Sequence, residues 1–526
     1  MKSKLLVFSL VVVMCVVFSL SVFANDKVVR IPIGLDPKTV DPTLVFGTSI
    51  KWVSDQLFLP LIRFDLNKLE AVPCLATSWE VSDDNLVWTF HLRKDVKWTD
   101  GNPVTAHDIE YGTKRIIDPA TASPLANFFY IIKNAKKVNT GESNDLSSVG
   151  IKAIDDYTIQ YTVQYSAAYF LSIIAHVTAA VPSWVIEEYG DKWTDPENIV
   201  TNGAYKLKSW AHYNEIILVK NEDYFDADKV QIEEARFIYV MDQSTALSMY
   251  KAGDLDSVEV PPVDMERIKS DPILSKEYYN GPLAILGSIQ INSEYPPFDN
   301  SLVRKAFAAA IDKETLVKYV LKGGQQPAYT VVPPGCFGRV EEGIGIPFDP
   351  EAAKKYLADA GYPGGKGLPE VSYAFGSSDF NRNLAQALQK VWKDNLGVNV
   401  KLKSMEERVY WSSVCEGAHQ MWRMGNGVDF PDAHGFLYMI FHSEYGERNL
   451  RWKNNEYDKL VEEAAVETNT EKRKALYRRA EEIIVEEDCA LIPLYYYAYN
   501  TLVKPYLSRT FSPDLLFQFE DWKIEK

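Results

Sequence analysis

Glu370-Val-Ser-Tyr-Ala-Phe-Gly-Ser-Ser-Asp379 begins the stretch whose periodicity decides the fold. Val371 to Phe375 is a short run rich in apolar and aromatic residues, as in a strand, and Gly376-Ser-Ser-Asp379 is the entry to a helix. That helix carries Leu384, Leu388, Val391 and Trp392 on one face and stops at Gly397, the residue type that closes a helix in the left-handed conformation. Val398-Asn-Val-Lys-Leu402 alternates apolar and polar positions, a helix is expected around Tyr410 to Val414, and a strand Gln420 to Met424 runs into Gly425-Asn-Gly427-Val-Asp429. Successive βα units predict an α/β protein with a mostly parallel sheet. Ligands in such sheets bind beyond the carboxyl ends of strands, so position alone makes Asp429 a candidate.

Towards the N-terminus, Ser54-Asp-Gln-Leu-Phe-Leu-Pro60 reads as a short apolar helix. Trp79 to Val81, a turn at Ser82-Asp-Asp-Asn85, and alternating Leu86, Trp88, Phe90 and Leu92 predict a β meander continued by Val96 and Trp98. Thr105-Ala-His-Asp108 has the spacing of a capping box, and Asn300 and Asp312 are placed to cap two consecutive helices ending at Gly323-Gly324. Towards the C-terminus, Ala490-Leu-Ile-Pro-Leu-Tyr-Tyr-Tyr497 is a strand, followed by polar Asn500-Thr501 and a new strand at Leu502-Val503; a crossing between domains is expected there.

Of the 526 residues, 46% are hydrophobic and 24% charged, enough for several cores, and the length corresponds to two or three domains. Lys2 and Lys4, an apolar run Leu5 to Leu20, and Val22 with Ala24 before Asn25 have the form of a secretory signal peptide, residues 1–24, with an uncleaved anchor as the alternative. The net charge of −16 provides no basic surface for nucleic acid, and none is expected as a partner. Beyond the leader stand Cys74, Cys336, Cys415 and Cys489, without the close spacing of a zinc site, so buried thiols are the simplest reading.

Motifs for catalysis are absent: no HExxH, GxSxG, phosphate loop or EF-hand occurs, the histidines are scattered, and Asp429 with Asp432 is a spacing common in loops. No catalytic residue, metal or cofactor is therefore expected. The 30 Tyr, 24 Phe and 12 Trp of an acidic, secreted chain suggest recognition instead, with Trp411, Trp422 and Tyr495 to Tyr497 as pocket candidates near strand ends.

The stretch Glu80-Val-Ser-Asp-Asp-Asn-Leu-Val-Trp-Thr-Phe-His-Leu-Arg-Lys-Asp-Val-Lys-Trp-Thr-Asp-Gly-Asn-Pro-Val-Thr-Ala-His-Asp108 strongly resembles the family 5 extracytoplasmic solute-binding proteins of ABC transporters. The resemblance continues through Asp118-Pro-Ala-Thr-Ala-Ser-Pro124, Asn198-Ile-Val-Thr-Asn-Gly-Ala-Tyr205, Val303-Arg-Lys-Ala-Phe307, Ala360-Gly-Tyr362 and Leu502-Val-Lys-Pro505, and is nearest to the oligopeptide-binding members. It implies a three-domain Venus flytrap of the type II periplasmic-binding-protein kind with interdomain hinge strands: domain I from 25–58, 183–285 and 498–526, domain II from 59–182, domain III from 286–497. Hinges are expected near 284–292 and 497–502, with the ligand between domains I and III.

The resemblance further implies a monomer that binds a peptide ligand and hands it to the permease subunits of a transporter. Asp429 falls where the family holds the peptide's α-ammonium, and Arg423 where it meets a carboxylate. Gly425, Asn426, Gly427, Asn381, Glu407, Tyr495, Tyr497 and Thr48 complete the expected ligand-binding set. There are departures: Asn426 and Gly427 replace an aromatic and a cysteine, Asn381 a histidine, and Glu407 a tryptophan, which alters the expected side-chain preference. An oligosaccharide receptor on the same fold, or a secreted hydrolase, are the alternatives to a peptide receptor.

Overall fold

The computed structural model describes residues 27–525 apart from 46, 67–68, 178–179, 342, 428–429, 445, 447–449, 514 and 516, with Thr48 described in its backbone alone. The expected signal peptide, Asp429 and the side chain of Thr48 therefore lie outside the described residues.

Alternating side chains of Val28–Ile33, with Val29, Ile31 and Ile33 inward, start a four-stranded sheet. Its order is Val28–Ile33, Glu234–Tyr239, Glu215–Lys220, Tyr205–Ala211, with the first pair parallel and the others antiparallel. The meander forms a second, antiparallel sheet of Ala76–Val81, Val87–Leu92, Thr158–Thr162 and Ile151–Asp155 in that order. Asn85 turns the first hairpin with φ of 58°, a conformation asparagine tolerates better than most residues. Val96 and Trp98 do not extend this strand. Both are buried, and the Trp98 indole N–H donates to Asp108 over 3.3 Å. That carboxylate also accepts the Thr105 amide at 2.7 Å in the expected capping box, which starts the helix Ala106–Ile117.

The third sheet has seven strands, two of them long, and the short Gln326–Pro327 pairs with one of the long ones at Tyr495 and Tyr496. Tyr278–Ile291 and Leu491–Val503 run antiparallel to each other, flanked by Ser257–Glu259 at one end of their length and by Met421–Gly427, Val371–Gly376 and Val400–Met405 at the other. Only the last three are mutually parallel, so the sheet is mixed rather than mostly parallel. The reason is connectivity: helix crossovers make strands parallel, and the helices Asp379–Leu396 and Glu407–Cys415 join only those three. Asn500 and Thr501 do not break the closing strand. Asn500 donates to the Gly323 carbonyl at 2.9 Å and Thr501 to the Val258 carbonyl at 2.8 Å, so both polar side chains are accommodated within it. Pairing between the two long strands slips at Pro282/Leu286 and Gly287/Ser288.

Apolar packing follows the sheets. One core joins the first two sheets through residues such as Ile31, Phe90, Ile159 and Phe237. The seven-stranded sheet carries separate cores on its two faces, Leu286, Ala374, Trp422 and Tyr496 on one and Ile289, Tyr373, Met421 and Tyr495 on the other. Among the described residues Cys74, Cys336 and Cys489 are buried thiols, as expected, and Cys415 is exposed. Among the described residues no helix is long and apolar enough to cross a membrane.

Candidate functional site

Strand Met421–Gly427 positions the centre of the site. Because successive side chains of a strand point to opposite faces, Arg423, Gly425 and Gly427 share one face while Trp422, Met424 and Asn426 share the other. On the first face Gly287 lies opposite Tyr495, and a Cβ at Gly287 would come within 2.4 Å of the Tyr495 ring. Glycine there lets the phenol lie flat over the strand and reach Arg423, whose Nη2 is 3.5 Å from the Tyr495 hydroxyl. The guanidinium carbon is 5.8 Å from the ring centres of both Phe380 and Tyr497. The Tyr497 hydroxyl covers Gly425, where a Cβ would meet it at 3.3 Å.

These contacts make a cage with a cation at its centre. Among the described residues the guanidinium is met by rings and a phenol, not by a carboxylate, and its Nε is buried without a hydrogen-bond partner. Among the described residues the buried Tyr373 hydroxyl nearby also has no partner. Burial raises the pKa of Tyr373 and Tyr495 while the charge of Arg423 pulls both down, so both phenols stay protonated donors at neutral pH. Aromatic faces stabilise a cation without neutralising it. The arrangement therefore leaves Arg423 able to meet an anion such as a carboxylate.

The other expected residues divide. Tyr495 and Tyr497 belong to the cage. Asn381 is buried beside it, donating its side-chain amide to the Gly376 carbonyl at 2.8 Å while its backbone amide bonds to the capping Ser378 hydroxyl. Glu407 is exposed in the first turn of Glu407–Cys415, accepts the Trp411 indole N–H at 3.0 Å and abuts Gly376, where a Cβ would lie 2.0 Å from its carboxylate. Asn426 does not join them: it is fully buried on the opposite face, donating to Ser288 and accepting from Gln290, both over 3.3 Å. Trp422 lies on that same inner face, its indole bonded to Gln290 at 3.1 Å, which makes it core rather than pocket. Sequence reading missed Phe380 as a cage wall; its place in the first helical turn beyond a strand end was the available signal.

Asp432, the second carboxylate of the 429/432 spacing, is fully engaged. It accepts two bonds of 2.8 Å from Arg473, both residues being buried, and caps the helix Ala433–Leu437 through the His434 amide. A carboxylate held in a bidentate buried pair is a structural group, not an acid or base. Among the described residues no group of His, Cys, Asp and Glu is arranged to hold a metal ion.

The cage thus sits within the seven-stranded sheet, on Met421–Gly427 and Leu491–Val503, with Phe380 closing it from the start of Asp379–Leu396. The chain belongs to the bacterial extracellular solute-binding proteins, family 5, whose model matches residues 70–447. Along 492 residues it is 33% identical to the periplasmic oligopeptide-binding protein of Salmonella typhimurium, covering 90% of this chain and 88% of that one. Its fold is the expected α/β Venus flytrap. It superposes with a TM-score of 0.85 on the unliganded open form of a murein tripeptide-binding protein, at 29% identity, covering 95% of this chain and 98% of the other. With Haemophilus influenzae OppA in complex with RPPGFSPFR the TM-score is 0.74, at 30% identity, covering 95% and 99%.

Proposed function

We propose that this protein is the extracytoplasmic receptor of an ABC transporter that captures oligopeptides between a domain of residues 25–58, 183–285 and 498–526 and a domain of residues 286–497, residues 59–182 serving as scaffold. It acts as a secreted monomer without enzymatic activity, released by cleavage after Ala24, and delivers its ligand to permease subunits. The slipped pairing at 282–288 supports placing one hinge there, since a bulge is where a strand bends most readily.

The observation that carries the reading is Arg423, a half-buried cation caged by Phe380, Tyr495 and Tyr497, its buried Nε without a partner among the described residues. Asp429, which the family resemblance makes the expected partner of a peptide's α-ammonium, would supply the opposite charge, and together the two residues suit a molecule with an ammonium at one end and a carboxylate at the other. A peptide with free termini has both and a neutral oligosaccharide has neither. Calorimetry with tri- to pentapeptides, their C-terminally amidated forms and neutral oligosaccharides tests this. Free peptides are expected to bind and amidation to weaken them at least about tenfold, the loss of a charge-assisted bond. Binding of the oligosaccharides in place of peptides would sink the reading.

A further inference from the structure

Away from the cage, residues 59–182 meet residues 286–497 at a contact around Tyr169. The Ala168 amide donates to the Ala465 carbonyl at 3.1 Å and the Ser166 hydroxyl to the Val466 carbonyl at 3.3 Å. Beside these bonds the ring of Tyr169 stacks on His434, with centres 3.7 Å apart and planes 11° apart; Tyr438 covers the other side of the imidazole at 4.6 Å and 14°. Phe430 lies parallel to Tyr169 at 6.2 Å. The surfaces do not close further, because a cavity of about 730 Å³ opens next to the stack, lined by Phe128, Gln164, Tyr165, Tyr438 and Glu462 among others. The contact also buries Phe430 and Ala465 in the same apolar cluster as Tyr169, and the cavity beside it limits how much further surface it covers.

The chemistry of the stack keeps it intact across ordinary pH. His434 is buried, its Nδ1 has no hydrogen-bond partner among the described residues, and burial, with Arg473 and then His442 adding to it, holds its pKa well below the usual histidine range. The other groups facing it are accounted for: Asp432 is paired with Arg473, His442 is bonded to Glu462, and Tyr169, Tyr438 and Tyr477 are phenols. The imidazole is therefore neutral, and the contact is a stack of uncharged rings rather than an ion pair.

We propose that Tyr169 and His434, with the two bonds beside them, form an interlobe clasp that holds the receptor open and so sets peptide affinity from outside the ligand site. The inference rests on the peptide-receptor reading above. Its direction comes from the likeness of this conformation to an unliganded open form, on which it superposes with a TM-score of 0.85. A contact present when the receptor is open and lost on closure taxes binding, because apparent affinity scales with the fraction of molecules able to close.

Removing the ring should relieve the tax. A stacked pair contributes the equivalent of a roughly 2- to 10-fold change in an equilibrium, so Tyr169→Ala is expected to tighten peptide binding by that factor in calorimetry and to lower the radius of gyration of the free protein. Tyr169→Phe keeps the ring and should behave as the unaltered protein. Unchanged or weakened affinity in Tyr169→Ala, or Tyr169→Phe behaving like it, would overturn the clasp. A second test does not depend on truncating a buried side chain. Ser166→Cys with Val466→Cys, in a Cys415→Ser background, should oxidise readily without peptide; the locked form should bind at least about tenfold more weakly, with recovery on reduction. Failure to cross-link, or equal affinity of oxidised and reduced forms, overturns the proposal. If the unaltered protein binds no peptide at all, the receptor reading fails, while the clasp is still decided by scattering on the free variants.

Discussion

Lys313 carries its ammonium into the core beside the seven-stranded sheet, 4.4 Å from the centre of the Tyr329 ring. Burial drives its pKa down to about 7, with Cys489 opposing. The folded value is below the unfolded one of about 10.4, so its contribution to stability is complete above pH about 10.4 and is lost as pH falls towards about 7. Lys313→Met should raise stability at pH 7 by roughly 1–4 kcal/mol and flatten the pH dependence between about 7 and 10; denaturant melts at the two pH values check this. Asp429 is predicted from the opposite logic, a charge that needs its partner. Asp429→Asn should weaken free-amine peptides by about 30-fold to several thousand-fold, the usual 2–5 kcal/mol of a broken buried pair. N-acetylated peptides should bind the unaltered protein poorly and be insensitive to the substitution. Equal binding of acetylated and free peptides to the unaltered protein would remove Asp429 as the amine anchor.

Among the elements, the segment through Val331 and Val332 depends on one side chain from a helix distant in sequence. The Glu481 carboxylate, at the end of Thr470–Glu482, accepts both amides at 2.8 and 3.0 Å. Burial raises its pKa to about 7 although the two amides and Arg339 pull it down. Here the folded value lies above the unfolded one of about 4.3, so its stabilisation is present below pH about 4.3 and lost as pH rises towards about 7. Relative to the unaltered protein, both Glu481→Gln and Glu481→Ala should therefore fare better at pH 8 than at pH 5, with Glu481→Ala, which leaves two amides unpaired, costing about 2–4 kcal/mol at pH 5 and less at pH 8. Thermal melts of the three proteins at both values separate these outcomes. The helix Asp379–Leu396 shows how much of an element is legible in advance: Ser378 caps it through the Asn381 amide and Gly397 ends it with φ of 73°, as local chemistry demands. Strand Met421–Gly427 shows the reverse. Reading Gly425-Asn-Gly427 as a loop grouped Asn426 with Arg423, although strand alternation puts them on opposite faces.

At the scale of the whole molecule, peptide should close the cleft and shrink the radius of gyration in solution scattering, because a ligand touching both walls prefers the closed state. An unchanged radius at saturating peptide, with binding verified by calorimetry, would exclude a flytrap motion. The two long strands make such motion credible in physical terms. Leu491–Val503 pairs with Ser257–Glu259 at its far end, Tyr278–Ile291 pairs with Met421–Gly427 at its near end, and the two pair with each other across the slip, so one sheet spans separately packed cores.

Local order was determined by the sequence alone. The capping box at Thr105 and Asp108, the Asn300 and Asp312 caps, the Gly397 stop and the alternating strands of the meander all follow from interactions spanning a few residues, which any copy of those residues would make. The family likeness of Glu80 to Asp108 was legible for the same reason, as unbroken text. Only the tertiary structure decided that the third sheet is mixed, that Leu491–Val503 passes through Asn500 and Thr501 without a break, and that Phe380, Tyr495 and Tyr497 converge on Arg423. Each depends on partners far apart in the chain: Gly323 for Asn500, Gly287 for Tyr495, Tyr169 for His434. A residue's neighbours in sequence limit the conformation it can take, but the cost of burying its polar atoms or charge is set by whatever the fold brings alongside.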